Sequence, residues 1–449
     1  MKVCSLYGAG YYYMPGSDIC LKLGGYVRYQ YTVNPGTTIS AGPQNGEGGR
    51  NTRTNEVDGA HRTRAVATID TRQQTAYGTL RTYTLLGYQQ DTTILGTTAA
   101  PVYMTRGFIQ IAGFTFGKAT SFFDIMPGAS FAYNAGAFFH PDTGDAGQML
   151  AAYTAQFGNG FSATISAEQS RRGSTWNTAI TAAPLPGANP TSTGLGTAGG
   201  VNVGHYSTDI VANLRIDQAW GSALIAGALH DASGGYYTAL ETSGHPSNKT
   251  GWAITAGFIL NLPMIARGDR LSAGVVYAEG ATRYAAITPS GAGLNQYQGN
   301  NVGFGIWTDS VYGAAGGLGH DVQLTTAWST SAAFEHFWTP ALRTSLYGSY
   351  VSISYNSNAK SLICTAYGVG ATGCDPNWSA WNLGSRTQWE PLRGLIMGVD
   401  ILYQKINSIT TSTGTLTLAA NGAKPAGVYT LSDQSAWVGS FRIQRDFLP

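Results

Sequence analysis

Residues 21–31 read LKLGGYVRYQY, and this stretch indicates which kind of structure the chain forms. Its odd positions are almost all apolar or aromatic, whereas its even positions include Lys22, Arg28 and Gln30. A period of two places alternate side chains on opposite faces of a β-strand. In a soluble sandwich the apolar face turns inward, whereas in a membrane barrel it turns toward lipid and Arg28 faces water.

The composition of the 449 residues suits a membrane barrel, although a secreted glycine-rich solenoid or sandwich remains an alternative on composition alone. Charged residues make up 11% of the chain, against roughly 25% in typical soluble proteins. The chain also contains 60 glycines and 26 tyrosines. No run of about 18 apolar residues occurs, which excludes a transmembrane helix. A net charge of +2, with basic residues spread singly, indicates no nucleic-acid partner.

Alternating segments recur from one end of the chain to the other. The strongest are 20–32, 61–72, 206–217, 394–405 and 435–447. The weaker ones are 76–88, 102–113, 114–121, 147–158, 161–171, 220–231, 250–262, 270–280, 322–337, 341–355 and 378–389. Together they predict about sixteen strands, an even number as in bacterial single-chain barrels. The predicted fold is therefore all-β, a transmembrane antiparallel β-barrel that forms a single domain over residues 1–449.

The connections between these segments alternate in length. Short turns with Gly or Pro lie at 73–75, 158–160, 219–221, 339–340 and 390–392. Long polar stretches lie at 33–60, 122–146, 172–205, 232–249, 281–321, 356–377 and 406–434. Long loops at one end and short turns at the other are typical of an outer-membrane barrel, whose short turns face the periplasm.

Aromatic residues accompany the short turns and predict a girdle at one membrane boundary. They are Tyr77, Phe157, Phe161, Trp220, Phe337, Trp338 and Trp389. Aromatics at the base of a soluble sandwich are the alternative, but they would not explain charged side chains on the faces opposite apolar ones. We therefore expect Val27, Tyr29 and Tyr31 to meet lipid or another subunit, and Arg28 to meet water.

The four cysteines allow three pairings. Cys4 and Cys20 flank a short segment, and Cys364 and Cys374 close a small loop. Neither pair has the spacing or the neighbouring histidine of a zinc site. We predict two local disulfides, Cys4–Cys20 and Cys364–Cys374, which are typical of an oxidising compartment. Four unpaired thiols are the alternative.

The sequence gives no sign of catalysis. Its seven histidines are scattered and lack metal-ligand spacing. Nothing suggests a nucleophile, base and orienting group in contact, as a covalent enzyme requires. We expect no enzyme activity, no metal and no cofactor. Two other functions stay open: a surface adhesin or lectin on a closed barrel and, third, a barrel lipid hydrolase.

Several stretches resemble one family of proteins. Residues 3–16 read VCSLYGAGYYYMPG and residues 20–28 read CLKLGGYVR. Both closely resemble the start of mature alphaproteobacterial general porins of the rhizobial and Brucella type, called porin family 2. Residues 77–83, 107–118 and 121–124, and the closing strand through Phe447, are similar to that family as well. The resemblance spans the whole chain and is weak in the long loops.

The resemblance implies a sixteen-stranded, trimeric porin in the outer membrane of a Gram-negative bacterium. It also implies a cleaved signal peptide, so that Met1 would be an added residue. One departure concerns the closing strand, because Leu448 and Pro449 follow Phe447 where such barrels usually end on an aromatic residue. The expected function is passive diffusion of ions and small hydrophilic solutes, with outer-membrane lipid and lipopolysaccharide as surroundings.

The resemblance further implies that the loop at about 122–146 folds into the lumen as a constriction loop. This loop carries Asp124, Asp142 and Asp145. We expect it to face inward positions of the early strands, namely Lys22, Arg28, Arg62, Arg64, Arg81 and Arg106. Such an arrangement would place a transverse field across the narrowest section. In the alternative, Asp142 and Asp145 only decorate a solvated loop. The preferred solute and the sign of ion selectivity stay open.

Overall fold

The computed structural model describes fifteen stretches of the chain. They are residues 3–33, 59–93, 96–97, 102–134, 139–141, 143, 147–171, 173–179, 207–238, 240–286, 293–314, 316–317, 320–369, 372–418 and 425–447. Within these stretches, no helix has the length and apolar character needed to cross a membrane.

Sixteen of the described strands form one closed antiparallel barrel. They are β1 (Cys20–Val33), β2 (Gly59–Thr75), β3 (Gly78–Thr93), β4 (Val102–Ile111), β5 (Phe114–Ala119), β6 (Gln148–Gly158), β7 (Phe161–Glu168), β8 (Asp209–Gln218), β9 (Gly221–Asp231), β10 (Thr250–Asn261), β11 (Arg270–Glu279), β12 (Thr326–Thr339), β13 (Leu342–Ser354), β14 (Trp378–Leu392), β15 (Leu395–Asn407) and β16 (Gln434–Phe447). Each strand pairs with the next, and β16 returns to β1 from Gly25↔Phe447 to Val33↔Gly439. Closure leaves the barrel without an open edge. The predicted fold class is confirmed.

The two faces of the barrel wall differ as the period-two pattern predicts. In β15, Val399 and Ile401 are 51% and 55% exposed, whereas Asp400 and Leu402 are 0% exposed. In β1, Val27 and Tyr29 lie on the exposed face, and Arg28 is half-buried on the other. Apolar side chains therefore cover the outside of the barrel, and its interior takes the charged side chains together with some apolar ones such as Leu402.

The two ends of the barrel also differ. At one end, which we call the turn end, tight turns connect the strands. Examples are Asn159-Gly160, Ala219-Trp220 and Arg393-Gly394. Most of the predicted girdle aromatics are exposed beside these turns, including Tyr77 at 78% and Trp338 at 62%. Two predicted short turns are shifted: residues 73–75 continue β2 with the turn at 76–77, and residues 390–392 continue β14 with the turn at 393–394.

The connections at the other end, the loop end, contain structure of their own. A three-stranded sheet comprises Ser174–Asn177, Thr308–Tyr312 and Gln323–Leu324. A four-stranded sheet comprises Gly293–Gln298, Asn301–Ile306, Gly427–Leu431 and Thr415–Leu418. One helix, α1, spans Ser357–Ala366, and the side chain of Asn356 caps it by accepting the Ala359 N–H. Shorter elements, not all of them at the loop end, are the strands Tyr12–Tyr13 and Gly96–Thr97 and the 3-10 turns Ser5–Tyr7, Gly128–Ser130, Glu241–Ser243 and Thr282–Tyr284.

Two disulfides tie local segments together. Cys4–Cys20 holds the N-terminal segment against the first residue of β1. Cys364–Cys374 joins α1 to the chain that leads into β14. The structure therefore contains the two local pairs that the spacing of the cysteines predicts.

Candidate functional site: the interior of the barrel

A segment that follows β5 enters the barrel; we call residues 120–134 and 139–141 the inner segment. It is pinned near its start by Asp124, whose carboxylate forms an ion pair of 2.7 Å with Arg171. The same carboxylate accepts hydrogen bonds from the N–H and the hydroxyl of Thr143, at 2.8 and 2.9 Å. The side chains of Asp124 and Arg171 are only 3% and 1% exposed. Burial lowers the pKa of the Arg171 guanidinium, but Asp124, Tyr284 and Glu168 together raise that pKa by more, so the guanidinium stays charged.

Asp124 is one of the acids predicted for the constriction. In the structure its charge is paired with that of Arg171 and shielded from water, and this ion pair holds the inner segment in place. Asp142 and Asp145 lie outside the described residues.

The far part of the inner segment binds the opposite wall of the barrel. The Tyr133 N–H donates to the carboxylate of Asp400 at 2.5 Å, and the Phe139 N–H donates to the hydroxyl of Ser349 at 2.7 Å. The hydroxyl of Ser345 donates to the Phe131 carbonyl at 2.5 Å. Asp400, Ser345 and Ser349 all belong to the buried, inward-facing set of their strands. The inner segment therefore lies inside the barrel and reaches the side opposite β5.

Tyr133 also packs against Arg442 and Gly398 of the wall. The guanidinium of Arg442 lies 4.0 Å from the centroid of its ring, and Arg442 also donates to its carbonyl at 3.0 Å. Gly398 allows this approach, because a Cβ at that position would lie 2.6 Å from the Tyr133 hydroxyl. Arginine stacked on an aromatic face gains cation–π attraction, which strengthens as the pair is desolvated.

The inward faces of β16 and β1–β4 are rich in cations, two of which, Arg106 and Arg442, also contact the inner segment. We call the cationic side chains on the inward faces of β16 and β1–β4 the basic wall. Its members are Lys22, Arg28, Arg62, Arg64, Arg72, Arg81, Arg106 and Arg442. All six bases predicted from the sequence belong to it. Sequence reasoning missed Arg72 and Arg442, although Arg442 has the same parity as Ser440 and Gln444 on the polar face of β16.

The basic wall is ordered by neighbouring polar side chains. Its described contacts are Lys22 with the Tyr11 ring (5.8 Å), Arg28 with Gln444 (2.7 Å), Arg62 with Asp91 (2.7 Å), Arg64 with Gln89 (2.9 Å), Arg81 with Asp70 (2.8 Å) and Arg106 with Thr120 (2.9 Å). Arg28 and Arg64 stand directly opposite each other in the β1–β2 register. Like charges at such a position repel. Because the polar neighbours hold the cations in place against this repulsion, the wall is preorganised as a surface of positive potential.

The interior offers no place for metal chemistry among the residues that the structure describes. No group of three or more His, Cys, Asp or Glu side chains there is arranged to hold a metal ion. The charged side chains of the wall instead set the electrostatic potential of the inner surface that they line.

Comparison with known proteins gives the same picture of the fold. The family model described as "Porin subfamily" matches residues 1–440. Porin Omp2b of Brucella melitensis biotype 1 is 30% identical over 239 residues, which cover 51% of this chain and 56% of the relative. Porin Omp2b of Brucella suis is 29% identical over the same length. The chain thus spans about half the length of the curated relatives it matches.

Among solved structures, the outer membrane channel DcaP of Acinetobacter baumannii is similar in fold. The match covers 97% of this chain and 99% of that chain, with a TM-score of 0.57 and 13% sequence identity. At this identity the likeness concerns the fold alone.

Proposed function

Because the chain belongs to the porin subfamily, we propose that it forms a water-filled outer-membrane channel through which ions and small hydrophilic solutes diffuse passively. One observation carries the proposal: a closed barrel with an apolar outer face turns half-buried charged side chains into its interior. An interior built only to stabilise a barrel would not require rows of arginine on one wall. No catalytic step is involved.

We further propose the surroundings and assembly of the channel. The apolar outer face meets outer-membrane lipid and lipopolysaccharide of a Gram-negative bacterium, and three copies form a homotrimer. The loop end faces outside and the turn end faces the periplasm, as is usual for such barrels.

Residues of about 122–146 act as the constriction loop, with the basic wall opposite. Asp142 and Asp145 are the acids proposed to act on passing ions, since Asp124 is neutralised by Arg171 in a buried ion pair. Arg62 and Arg64 supply positive charge on the wall that faces these acids.

Conductance in a planar lipid bilayer tests the proposed channel. We expect stable single-channel steps from the purified protein. A closed-barrel adhesin with a filled lumen, or a barrel lipid hydrolase, would give none, so absence of conductance from correctly folded protein would contradict the proposal.

Paired charge variants test the constriction. Replacing Asp142 and Asp145 by Asn should shift the reversal potential in a salt gradient toward anion permeation. Replacing Arg62 and Arg64 by Gln should shift it the other way. Both shifts should shrink near 1 M salt, where the screening length falls to about 3 Å. If both double variants match the parent protein at low salt, these side chains do not form the filter.

A further inference from the structure

A second loop segment also fills part of the barrel interior; we call residues 281–286 and 301–312 the cap segment. Every residue from Val302 to Tyr312 is buried. An extended segment on a protein surface would expose every second side chain, because its two faces alternate. Burial of both faces means that protein covers the cap segment from two sides.

One of these sides is the inner surface of the barrel wall. The Ile306 carbonyl accepts hydrogen bonds from the Trp378 indole at 2.5 Å and the Tyr355 hydroxyl at 2.7 Å. The rings of Trp307 and Trp378 lie 5.6 Å apart. Trp378 is the first inward-facing residue of β14, at the loop end of that strand. The cap segment therefore packs within the loop end of the barrel.

The core around the cap segment is apolar and reaches many strands. Its wall members include Val211, Leu224, Ala226, Ala228, Ala253, Val276, Ala278, Ala327, Val351, Ile353, Trp378, Ala380 and Ile406. These belong to β8–β15, and the core contains no residue of β1–β4 or β16. Among the described residues, this largest core thus lies along β8–β15, away from β1–β4, and a smaller apolar cluster of the inner segment reaches Val438 of β16.

Polar contacts fix the cap segment at the centre of this core. The carboxylate of Asp309 accepts hydrogen bonds from the N–H and the hydroxyl of Thr282, at 2.8 and 2.7 Å. A nitrogen of His230, at the loop end of β9, lies 3.4 Å from the same carboxylate. The hydroxyl of Ser329 in β12 donates to the Ala285 carbonyl at 2.6 Å. Wall and cap segment therefore hold one position relative to each other.

The cap segment and the inner segment meet on the same side. The rings of Phe123 and Tyr284 lie 4.7 Å apart in an edge-to-face arrangement, and both side chains are fully buried. The hydroxyl of Tyr284 donates to the carboxylate of Asp209 at the start of β8, at 2.8 Å. The two segments thus form one continuous mass along β8–β15, which the inner segment extends to Arg442 of β16.

We propose that the permeation path is a crescent along the basic wall, with the packed cap segment as its fixed opposite side, and that small anions are the solutes it favours. This inference rests on the proposed channel function. In this arrangement the cap segment determines pore size together with the loop after β5.

The charge of the remaining wall supports the class of solute. The described inward positions of β16 and β1–β4 carry the eight cations of the basic wall and three carboxylates, Asp70, Asp91 and Asp446. Asp70 and Asp91 are already in ion pairs with arginines of the wall. Low-dielectric walls on both sides focus the field of the excess positive charge on the path.

Thiol accessibility tests the shape of the path. Single cysteines are placed at inward positions near the loop end: Gln89→Cys in β3 on the open side, and Ala278→Cys in β11 or Ala226→Cys in β9 within the core. The probe is the membrane-impermeant anion sulfonatoethyl methanethiosulfonate, and labelling is followed by mass spectrometry and by conductance. The native cysteines are all in disulfides and do not compete for the probe.

We expect rapid labelling of Gln89→Cys with a change in conductance. Ala278→Cys and Ala226→Cys should react at least about a hundredfold more slowly, because a buried thiol reacts only through local opening. Labelling of both in denaturant shows that the thiols are present. Comparable rates for the folded Ala278→Cys or Ala226→Cys and Gln89→Cys would overturn the crescent, and so would a Gln89→Cys that does not react.

The reversal potential of the parent protein in a KCl gradient tests the class of solute. A sign that corresponds to chloride permeation supports the proposal, whereas a potassium-selective parent overturns the anion preference. Failure of the underlying channel function is distinguishable from both results. It would abolish conductance altogether, while the labelling pattern would remain readable by mass spectrometry.

Discussion

Asp400 of β15 is the residue whose replacement tests most directly how the inner segment is held. Its side chain is fully buried and accepts a hydrogen bond at each carboxylate oxygen. One comes from the Tyr133 N–H of the inner segment at 2.5 Å, and the other comes from the Tyr347 hydroxyl of β13 at 2.6 Å. The substitution Asp400→Ala removes both acceptors and leaves two donors facing an apolar side chain.

The expected loss of docking free energy depends on which of the two bonds joins the inner segment to the barrel wall. A hydrogen bond to a charged group contributes roughly 1.5–3 kcal/mol. Of these two bonds, the one from Tyr133 joins the inner segment to the wall, whereas Tyr347 belongs to the wall itself. Docking of the segment should therefore weaken by roughly one such bond, which corresponds to a roughly ten- to hundredfold shift toward the released state.

Single-channel recording is the assay, and Tyr347→Phe is its matched control. Asp400→Ala should increase open-channel noise and mean conductance, because the segment leaves the lumen more often. Tyr347→Phe removes the bond within the wall, keeps the one to Tyr133, and should behave like the parent protein. Equal traces for the two variants, with both barrels folded by circular dichroism, would refute the proposed anchoring.

Four further outcomes are expected. Val399→Arg on the lipid-facing side should destabilise the barrel by roughly 2–4 kcal/mol in chemical unfolding, whereas Val399→Leu should cost little; equal midpoints would show that the face assignment is wrong. Peptide mapping without reduction should recover both local disulfides, and peptides that link the two halves of the chain would contradict them. Cysteine at Thr413 should be labelled on intact cells, and cysteine at Asn159 only after the outer membrane is permeabilised; the reverse pattern would invert the orientation. Burial alone raises the pKa of the Asp309 carboxyl, but hydrogen bonds from neighbouring groups bring it below its ordinary value. The stabilisation from Asp309 is therefore complete above the unfolded-state pKa and is lost as pH falls through the folded one. Tryptophan fluorescence of the core should stay constant at neutral and mildly acidic pH and change in strong acid, and the amplitude of that change should fall in Asp309→Asn.

The sequence by itself determined the barrel and the two faces of its wall. Alternation such as that from Leu21 to Tyr31 is a local property, because each strand side chain points opposite to its neighbours whatever the strand pairs with. The same alternation places Arg28, Arg62 and Arg64 on inward faces whichever strands pair with one another. The disulfide pairs were also local, since each closes a short stretch of chain.

Only the tertiary structure decided how the interior is filled. Asp124 reads like a solvated loop acid, and its partner Arg171 is 47 residues away, so no local pattern reveals the buried ion pair. The cap segment reads as part of a long polar loop. Its burial depends on Trp378 and on other side chains from eight strands, which come together only when the barrel closes. Loops lack the fixed periodicity of strands, and their positions are set by contacts distant in sequence. Sequence pattern therefore fixed the wall of this protein, and long-range packing decided which part of its interior stays open.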